Sequence, residues 1–180
     1  MSQFRTESDS MGELQVPANA LYQAQTQRAI NNFKISGLAM PKQFITALAY
    51  IKQAAAQSNA ALGHLSQGKA KAIEQACQEI FDGKHFSEFP VDVFQTGSGT
   101  SSNMNANEVI ATLASKFAGE TIHPNDDVNM GQSSNDVIPT AIAVSSAINI
   151  IYELFPKLDK LSQSLQNKQA EVGHIVKTGR

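Results

Sequence analysis

The chain has 180 residues, of which 42% are hydrophobic and 17% charged, and its formal net charge at pH 7 is −2. A chain of this length builds about one domain with a substantial core. Its scattered lysines and arginines exclude the basic surface of a nucleic-acid-binding protein. The N-terminus has no apolar signal core, and the most apolar stretch, residues 137–151, is shorter than the roughly 20 residues of a membrane span. We therefore expect a soluble cytoplasmic protein with neither membrane nor nucleic-acid partners.

The first elements are predicted from proline and glycine punctuation. Residues 1–40 are expected to be irregular. A helix then begins after Pro41 and ends near Gly63, because apolar residues recur between them at helical spacing. A second helix is predicted over residues 67–82, ending at Gly83.

The middle of the chain combines one ambiguous stretch with one clear helix. Residues 86–94 have the composition of an extended segment, although Pro90 weakens that prediction. A third helix is expected from 102 to 118 and ends at Gly119. The lone cysteine, Cys77, excludes an intramolecular disulfide and is expected to be a buried, unreactive thiol.

A fourth helix is predicted to be longer than the domain that carries it. From Pro139 to Val172 it would span about 50 Å, whereas a compact domain of this size is roughly 40 Å across. Asn135 or Asp136 is expected to cap it, and Pro156 to kink it. Its apolar stripe outruns the core of the chain, which predicts a bundle completed by other helices or other subunits. The stripe comprises Ile142, Ile148, Ile151, Phe155, Leu158, Leu161, Leu165 and Val172.

Two polar, glycine-containing segments at 95–108 and 123–136 carry the functional signal. Gly97 and Gly99 allow a close approach of the backbone to a ligand. The first segment also falls at a predicted helix N-terminus, where unpaired N–H groups favour an anion. Neutral donors follow in both segments, namely Ser98, Thr100, Ser133, Ser134 and Asn135. Together the segments predict a site for a small anionic substrate that needs no metal or other cofactor.

Other readings of these segments are weaker. A dinucleotide-binding loop would need a third glycine where Ser102 stands. The histidines lack the spacing of metal ligands. His123 remains open as a ligand contact, and Glu108 is open as a group that only satisfies neighbouring backbone. The same holds for the asparagines of the first segment, which are able to act as simple hydrogen-bonding residues: Asn103, Asn105 and Asn107.

The motifs resemble the fumarase/aspartase superfamily over essentially the whole chain. The opening RTESDSMGELQVPANALYQAQTQRAINNF is similar to the N-terminal signature of class II fumarate hydratases, as are TGSGT at 96–100 and QSSND at 132–136. Aspartate ammonia-lyases typically have GGAGT and QSTND there, and lack the histidine before Pro124. The resemblance therefore favours fumarase over ammonia-lyase. It implies a mainly α fold, with an N-terminal helical domain (1–136) and the first long helix of a central helical bundle (137–180).

The resemblance also implies roles for individual residues. Substrate, fumarate or malate, would be held by Ser98, Gly99, Thr100, Ser133, Ser134 and Asn135. A second, accessory dicarboxylate site would involve His123, Pro124, Asn125 and Asp126. The stretch 119–122 lacks the basic residue that fumarases often carry shortly before this histidine. The implied reaction is reversible hydration of fumarate to (S)-malate by a homotetramer.

The same resemblance places the family's catalytic histidine just beyond Arg180, and the loop with the catalytic serine farther along the chain. We therefore predict that no catalytic residue lies within this chain, and that the chain is an inactive N-terminal portion of a fumarase. Two alternatives stay open. One is an aspartate ammonia-lyase, and the other is a non-catalytic helical module that uses the apolar stripe to oligomerise.

Overall fold

The computed structural model describes residues 3–179 and begins with a β-hairpin. Strand β1 (Phe4–Asp9) pairs antiparallel with β2 (Gly12–Pro17), and the turn between them is fixed by Met11 N–H, which donates to Asp9 Oδ1 at 2.8 Å. Helix α1 (Ala24–Asn32) follows. The prediction of an irregular stretch over residues 1–40 was therefore wrong. Polar side chains occupy much of both strands, so the alternation that reveals a half-buried strand is weak.

Three central helices match their predicted positions closely. They are α2 (Lys42–Ala61), α3 (Gln67–Phe81) and α4 (Thr100–Ala118), and each ends one or two residues before the glycine that predicted its end. Residues 86–94 do not form a strand. They contain one 3₁₀ turn (Phe86–Glu88) and a single bridge between Ala39 and Asp92.

The core lies where α2, α3 and α4 pack together. Leu48, Ile73, Ile80 and Ile110 are almost completely buried there. Small residues such as Ala76 let the helix backbones approach closely. Cys77 is also fully buried in this core, and burial raises the pKa of its thiol to about 12, which confirms the prediction of an unreactive thiol.

The last helix is continuous over 39 residues from Ser134 to Val172. It consists of α5 (Ser134–Asn149), a π-helical turn (Ile150–Leu154) and α6 (Phe155–Val172). The π-helical turn ends two residues before Pro156, which lacks the N–H that would bond the carbonyl four residues earlier.

Only the first half of this helix has neighbours. Helix α5 packs against α2 and α4, whereas residues 151–179 are all exposed. The predicted stripe is thus uncovered, with Leu161 55% and Leu165 63% exposed. An 18-residue window of this helix has a mean hydropathy of 1.5, so by length and composition alone the helix is apolar enough to cross a membrane. The sequence prediction considered only residues 137–151, which are too few for a membrane span. A helix from the core of a bundle meets the same criterion.

Candidate functional site

The first polar segment lies where the sequence predicts, at the N-terminus of α4. Gly99 is the N-cap and has φ +67°, a left-handed conformation that glycine adopts without strain. Ser101 N–H donates to Thr96 Oγ1 at 3.2 Å, and Ser102 N–H donates to Gln95 Oε1 at 2.8 Å. Thr100 N–H has no partner among residues 3–179. One amide at the positive end of the helix dipole is therefore available to an anion.

Two hydroxyls of this segment form a pair. Ser98 Oγ and Thr100 Oγ1 lie 2.8 Å apart, and either oxygen is able to donate to the other. Only one of their two hydrogens is used in this contact, so the pair keeps one hydrogen for a ligand. The two side chains therefore act as one neutral donor group beside the unpaired amide of Thr100.

The second segment forms the start of α5. Ser133 is the N-cap, and its Oγ accepts from Asn135 N–H at 3.2 Å. The prediction that Asn135 or Asp136 caps this helix was wrong, because the first of several adjacent capping residues takes that role. Ser134 Oγ accepts from Asn103 Nδ2 at 3.0 Å. This hydrogen bond ties the first turn of α5 to the first turn of α4.

The two segments meet at a cleft of about 460 Å³. Ser98, Gly99 and Asn135 line it, and Ile138 and Ile142 of α5 contribute its apolar side. A Cβ added at Gly99 would lie 3.1 Å from the side chain of Ile138, so the bare backbone also sets the width of the cleft. None of the described residues that line the cleft has an ionisable side chain. They are Met40, Val93, Phe94, Gln95, Thr96, Gly97, Ser98, Gly99, Asn135, Ile138, Pro139 and Ile142.

Thr100 lines a neighbouring cleft of about 300 Å³, together with Thr96 and the ion pair of Arg28 and Asp9. Arg28 donates to both carboxylate oxygens of Asp9, at 2.9 and 2.7 Å. This hydrogen-bonded contact lowers the pKa of Asp9. No pattern in the sequence predicts that the hairpin turn lies beside the first polar segment.

The predicted substrate-binding residues therefore divide into two groups. Ser98, Gly99 and Asn135 share the larger cleft, and Thr100 adjoins them. The hydroxyl oxygens of Ser133 and Ser134 instead accept hydrogen bonds that organise the start of α5.

The residues predicted to form an accessory site lie on a separate turn. His123 caps the π-helical turn Pro124–Val128, and its Nδ1 accepts from Asn125 N–H at 3.3 Å and from Asp126 N–H at 3.2 Å. Acceptance at Nδ1 places the ring proton of the neutral histidine on Nε2. His123 is half-exposed, and this turn lines neither of the two clefts described above.

A partly buried ion pair holds the same turn against α3. Lys69 Nζ of α3 lies 2.9 Å from both carboxylate oxygens of Asp127. Asp127 also accepts from His123 N–H at 2.7 Å. The lysine charge is thus already paired with a carboxylate of the chain.

Glu108 has the structural role that the sequence left open. It is 2% exposed, and its carboxylate accepts from the N–H groups of Gln23, Gln25 and Thr26 at 2.8 to 3.1 Å. Burial raises the pKa of Glu108, and these donors oppose the rise. The carboxylate therefore fixes the N-terminus of α1 to α4.

Sequence reasoning missed Lys52, which is completely buried in α2. Its Nζ donates to Asn129 Oδ1 at 2.9 Å and to Gln132 Oε1 at 2.8 Å. Burial lowers the pKa of this lysine to about 7. The available signal was its spacing, because Lys52 follows the buried Leu48 by four residues and so lies on the apolar face of the helix.

Comparison with known proteins identifies the family. The family model described as Lyase matches residues 12–180, so the chain belongs to this lyase family. The chain is 56% identical over 177 residues to a class II fumarate hydratase of Xylella fastidiosa, and 55% identical over 180 residues to fumarate hydratase class II 2 of Pseudomonas aeruginosa. These alignments cover 98% and 100% of this chain but only 37% and 39% of the relatives.

Solved structures agree with this assignment. The class II fumarase of Schistosoma mansoni has a TM-score of 0.93 at 41% identity, covering 98% of this chain and 39% of that one. A fumarate lyase:delta crystallin of Brucella melitensis also has a TM-score of 0.93, at 43% identity, covering 98% of this chain and 43% of that one. The mainly α fold and the resemblance to class II fumarate hydratases are thereby confirmed, and a chain that corresponds to part of a fumarase fits the coverage.

Proposed function

We propose that this chain supplies the substrate-binding part of a fumarate hydratase, which interconverts fumarate and (S)-malate. The observation that carries the proposal is the cleft at the N-terminus of α4, where Ser98, Gly99 and Asn135 meet. It occurs in a chain more than half identical to class II fumarate hydratases. Nothing comparable favours aspartate as the substrate.

The groups in and beside this cleft suit a carboxylate. The unpaired amide of Thr100 and the Ser98–Thr100 hydroxyl pair are neutral donors at the positive end of a helix. A hydrogen bond to a charged group contributes about 1.5–3 kcal/mol. In the malate direction, removal of the proton beside a carboxylate doubles the negative charge on that group, so donors aimed there stabilise the transition state more than the ground state.

Proton transfer needs groups that this cleft lacks. None of the described residues lining it is ionisable, whereas a general acid or base must exchange a proton near neutral pH. We therefore propose that Ser98, Gly99, Thr100, Ser133, Ser134 and Asn135 bind and orient substrate. The acid and base belong to other parts of the protein. By this proposal the chain alone binds fumarate without hydrating it.

Three further assignments are proposals of the same kind. The turn of His123, Pro124, Asn125 and Asp126 is an accessory dicarboxylate site, supported by its exposed imidazole. The uncovered stripe on α6 packs in a helical bundle of a cytoplasmic homotetramer. The division into domains 1–136 and 137–180 falls three residues after the start of α5.

Calorimetric titration of the 180-residue chain with fumarate tests the proposal. We expect saturable binding that weakens by about tenfold or more in Ser98→Ala, because one hydrogen bond to a charged group is lost. Ser164→Ala is the matched control, since Ser164 lies on exposed α6 and its hydroxyl contacts only its own helix. Parallel assays of fumarate hydration and of ammonia release from aspartate should both be negative. Ammonia release would overturn the substrate assignment, and equal affinities in both variants would overturn the site.

A further inference from the structure

The buried Lys52 donates hydrogen bonds to two side-chain oxygens. Its ammonium group is completely buried and faces two side-chain amides, those of Asn129 and Gln132. A lysine ammonium has three donors and no acceptor. Burial lowers the pKa of Lys52 to about 7, and the neutral amine keeps two N–H groups for the two amide oxygens. The amide nitrogens are already used, because Asn129 Nδ2 donates to the carbonyl of Gln132 and Gln132 Nε2 donates to that of Val128. In either state of the lysine, the amide oxygens therefore face Lys52.

This requirement fixes the orientation of the next amide. Asn129 presents Oδ1 to Lys52, so Asn103 must approach the same oxygen with its Nδ2, at 3.3 Å. Asn103 is 1% exposed, and its own Oδ1 is buried without a partner. Leaving a buried acceptor unpaired costs about 1–3 kcal/mol. The unpaired Oδ1 of Asn103 therefore destabilises the fold, while Asn103 Nδ2 donates to Asn129 and Ser134.

The chain of hydrogen bonds from Lys52 ends at Ser134. Asn103 Nδ2 donates to Ser134 Oγ at 3.0 Å, so this hydroxyl oxygen already accepts a hydrogen bond from inside the protein. No acceptor for the Ser134 hydroxyl hydrogen occurs among the residues that the structure describes. The hydrogen is therefore left to donate to a group outside the network.

We propose that Lys52 is a positioning residue, which acts through Asn129 and Asn103 to hold the Ser134 hydroxyl as a hydrogen-bond donor toward an anionic ligand. Asn129 Oδ1 accepts from Lys52, so Asn129 also presents this oxygen to Asn103. Asn103 in turn presents its Nδ2 to Ser134. That the anion is a substrate carboxylate rests on the proposed function above. The network itself does not depend on it.

Paired substitutions at Asn129 test the network in the 180-residue chain by ¹⁵N NMR. Asn129→Asp keeps acceptors for Lys52 and Asn103, whereas Asn129→Leu removes them. We expect the side-chain amide of Asn103 and the backbone amide of Ser134 to keep nearly their original resonances in Asn129→Asp and to shift in Asn129→Leu. Unchanged resonances in Asn129→Leu, or equal shifts in both variants, would overturn the proposal.

Lys52→Met gives the second comparison, because it removes the donors while roughly keeping the side-chain length. Fumarate affinity should fall about tenfold in Lys52→Met and in Asn129→Leu, the equivalent of one lost hydrogen bond, and should be largely restored in Asn129→Asp. A purely structural role would lower the unfolding midpoint of the variants but leave the affinity of folded protein unchanged, which would overturn positioning. Coupled resonances in a chain that binds no fumarate would support the network and overturn the proposed function.

Discussion

The helices of the inner part (residues 3–150) and of the outer part (residues 151–179) share the same apolar spacing, but with opposite burial. In α2, α3 and α4, apolar residues at helical spacing are buried to within a few per cent, as at Ile73 and Ile110. In α6, residues at the same spacing, such as Leu158 and Leu161, remain about half exposed. The pattern therefore states which face of a helix will be buried. It does not state whether the partner lies in the same chain.

The polar groups divide along the same line. In the inner part, buried charged residues such as Glu108 and Lys52 have defined hydrogen-bond partners. The outer part has exposed pairs along one helix, such as Glu153 with Lys157. A site for a charged ligand needs donors held in fixed directions. Among residues 3–179, donors of this kind occur in the inner part, as at Thr100.

The largest contrast is expected from truncating one apolar residue in each part. Ile110→Ala should lower the free energy of unfolding by about 2–5 kcal/mol, because it leaves a cavity in a packed core. Leu161→Ala should change it by less than about 0.5 kcal/mol at concentrations where the chain is monomeric. Urea unfolding followed by circular dichroism measures both. Similar losses would show that the stripe already has a partner within the chain.

A comparable effect is expected from Glu108→Ala. Three N–H groups at the N-terminus of α1, those of Gln23, Gln25 and Thr26, would lose their acceptor, at a cost of about 3 kcal/mol or more. The control, Glu153→Ala, removes a carboxylate that is paired only on the exposed helix surface and should leave the urea midpoint unchanged. Equal midpoints for the two variants would contradict the capping role of Glu108.

The buried lysine should make stability depend on pH. Below pH 7 Lys52 is protonated in both the folded and the unfolded state, so the full cost of burying its charge lowers the free energy of unfolding. Above its folded pKa of about 7 the native state loses this proton, while the unfolded state keeps it up to about 10.5. The unfolded state then binds more protons, so stability should rise by up to about 1.4 kcal/mol per pH unit.

This rise is best measured between pH 7 and 9. The Cys77 thiol, whose pKa is raised from 9.0 to about 12, contributes the opposite slope above pH 9. Unfolding curves of the original chain and of Lys52→Met over this interval isolate the lysine. An identical slope in both proteins would show that Lys52 does not titrate in this range.

The smallest expected effect compares the two ends of α4. Gly99 and Gly119 have nearly equal left-handed φ angles, +67° and +68°, but a Cβ would contact Ile138 only at Gly99. Gly119→Ala should cost about 1 kcal/mol from backbone strain. Gly99→Ala should cost more, shift the Ile138 methyl resonances and weaken fumarate binding. Equal costs without a methyl shift would mean that Gly99 does not set the width of the cleft.

The sequence predicts what depends on local punctuation and periodicity. Pro41, Gly63 and Gly119 located helix ends within two residues. The two polar segments, predicted to form one site, both contribute residues to one cleft. The hairpin was missed because its strands carry few apolar residues. The choice of Ser133 over Asn135 as N-cap depends on which of several adjacent capping residues fits the approach of the chain.

Long-range polar partners were beyond sequence reasoning. Lys52 donates hydrogen bonds to side chains that lie 77 and 80 positions later in the sequence. Glu108 accepts hydrogen bonds from backbone N–H groups that lie 82 to 85 positions earlier. No local pattern specifies such contacts, since they follow from how helices pack. Lysine on an apolar helix face is the one signal that pointed to a buried cation.

The most direct test of the central claim, that the inner part alone builds a carboxylate site, is a ¹⁵N NMR titration of the 180-residue chain with fumarate. We predict saturable shifts at the amides of Ser98, Gly99, Thr100 and Asn135, while amides of α6 (Phe155–Val172) keep their positions. Sulfate at the same ionic strength should not reproduce the pattern. Shifts concentrated on α6, or none at the start of α4, would contradict this account.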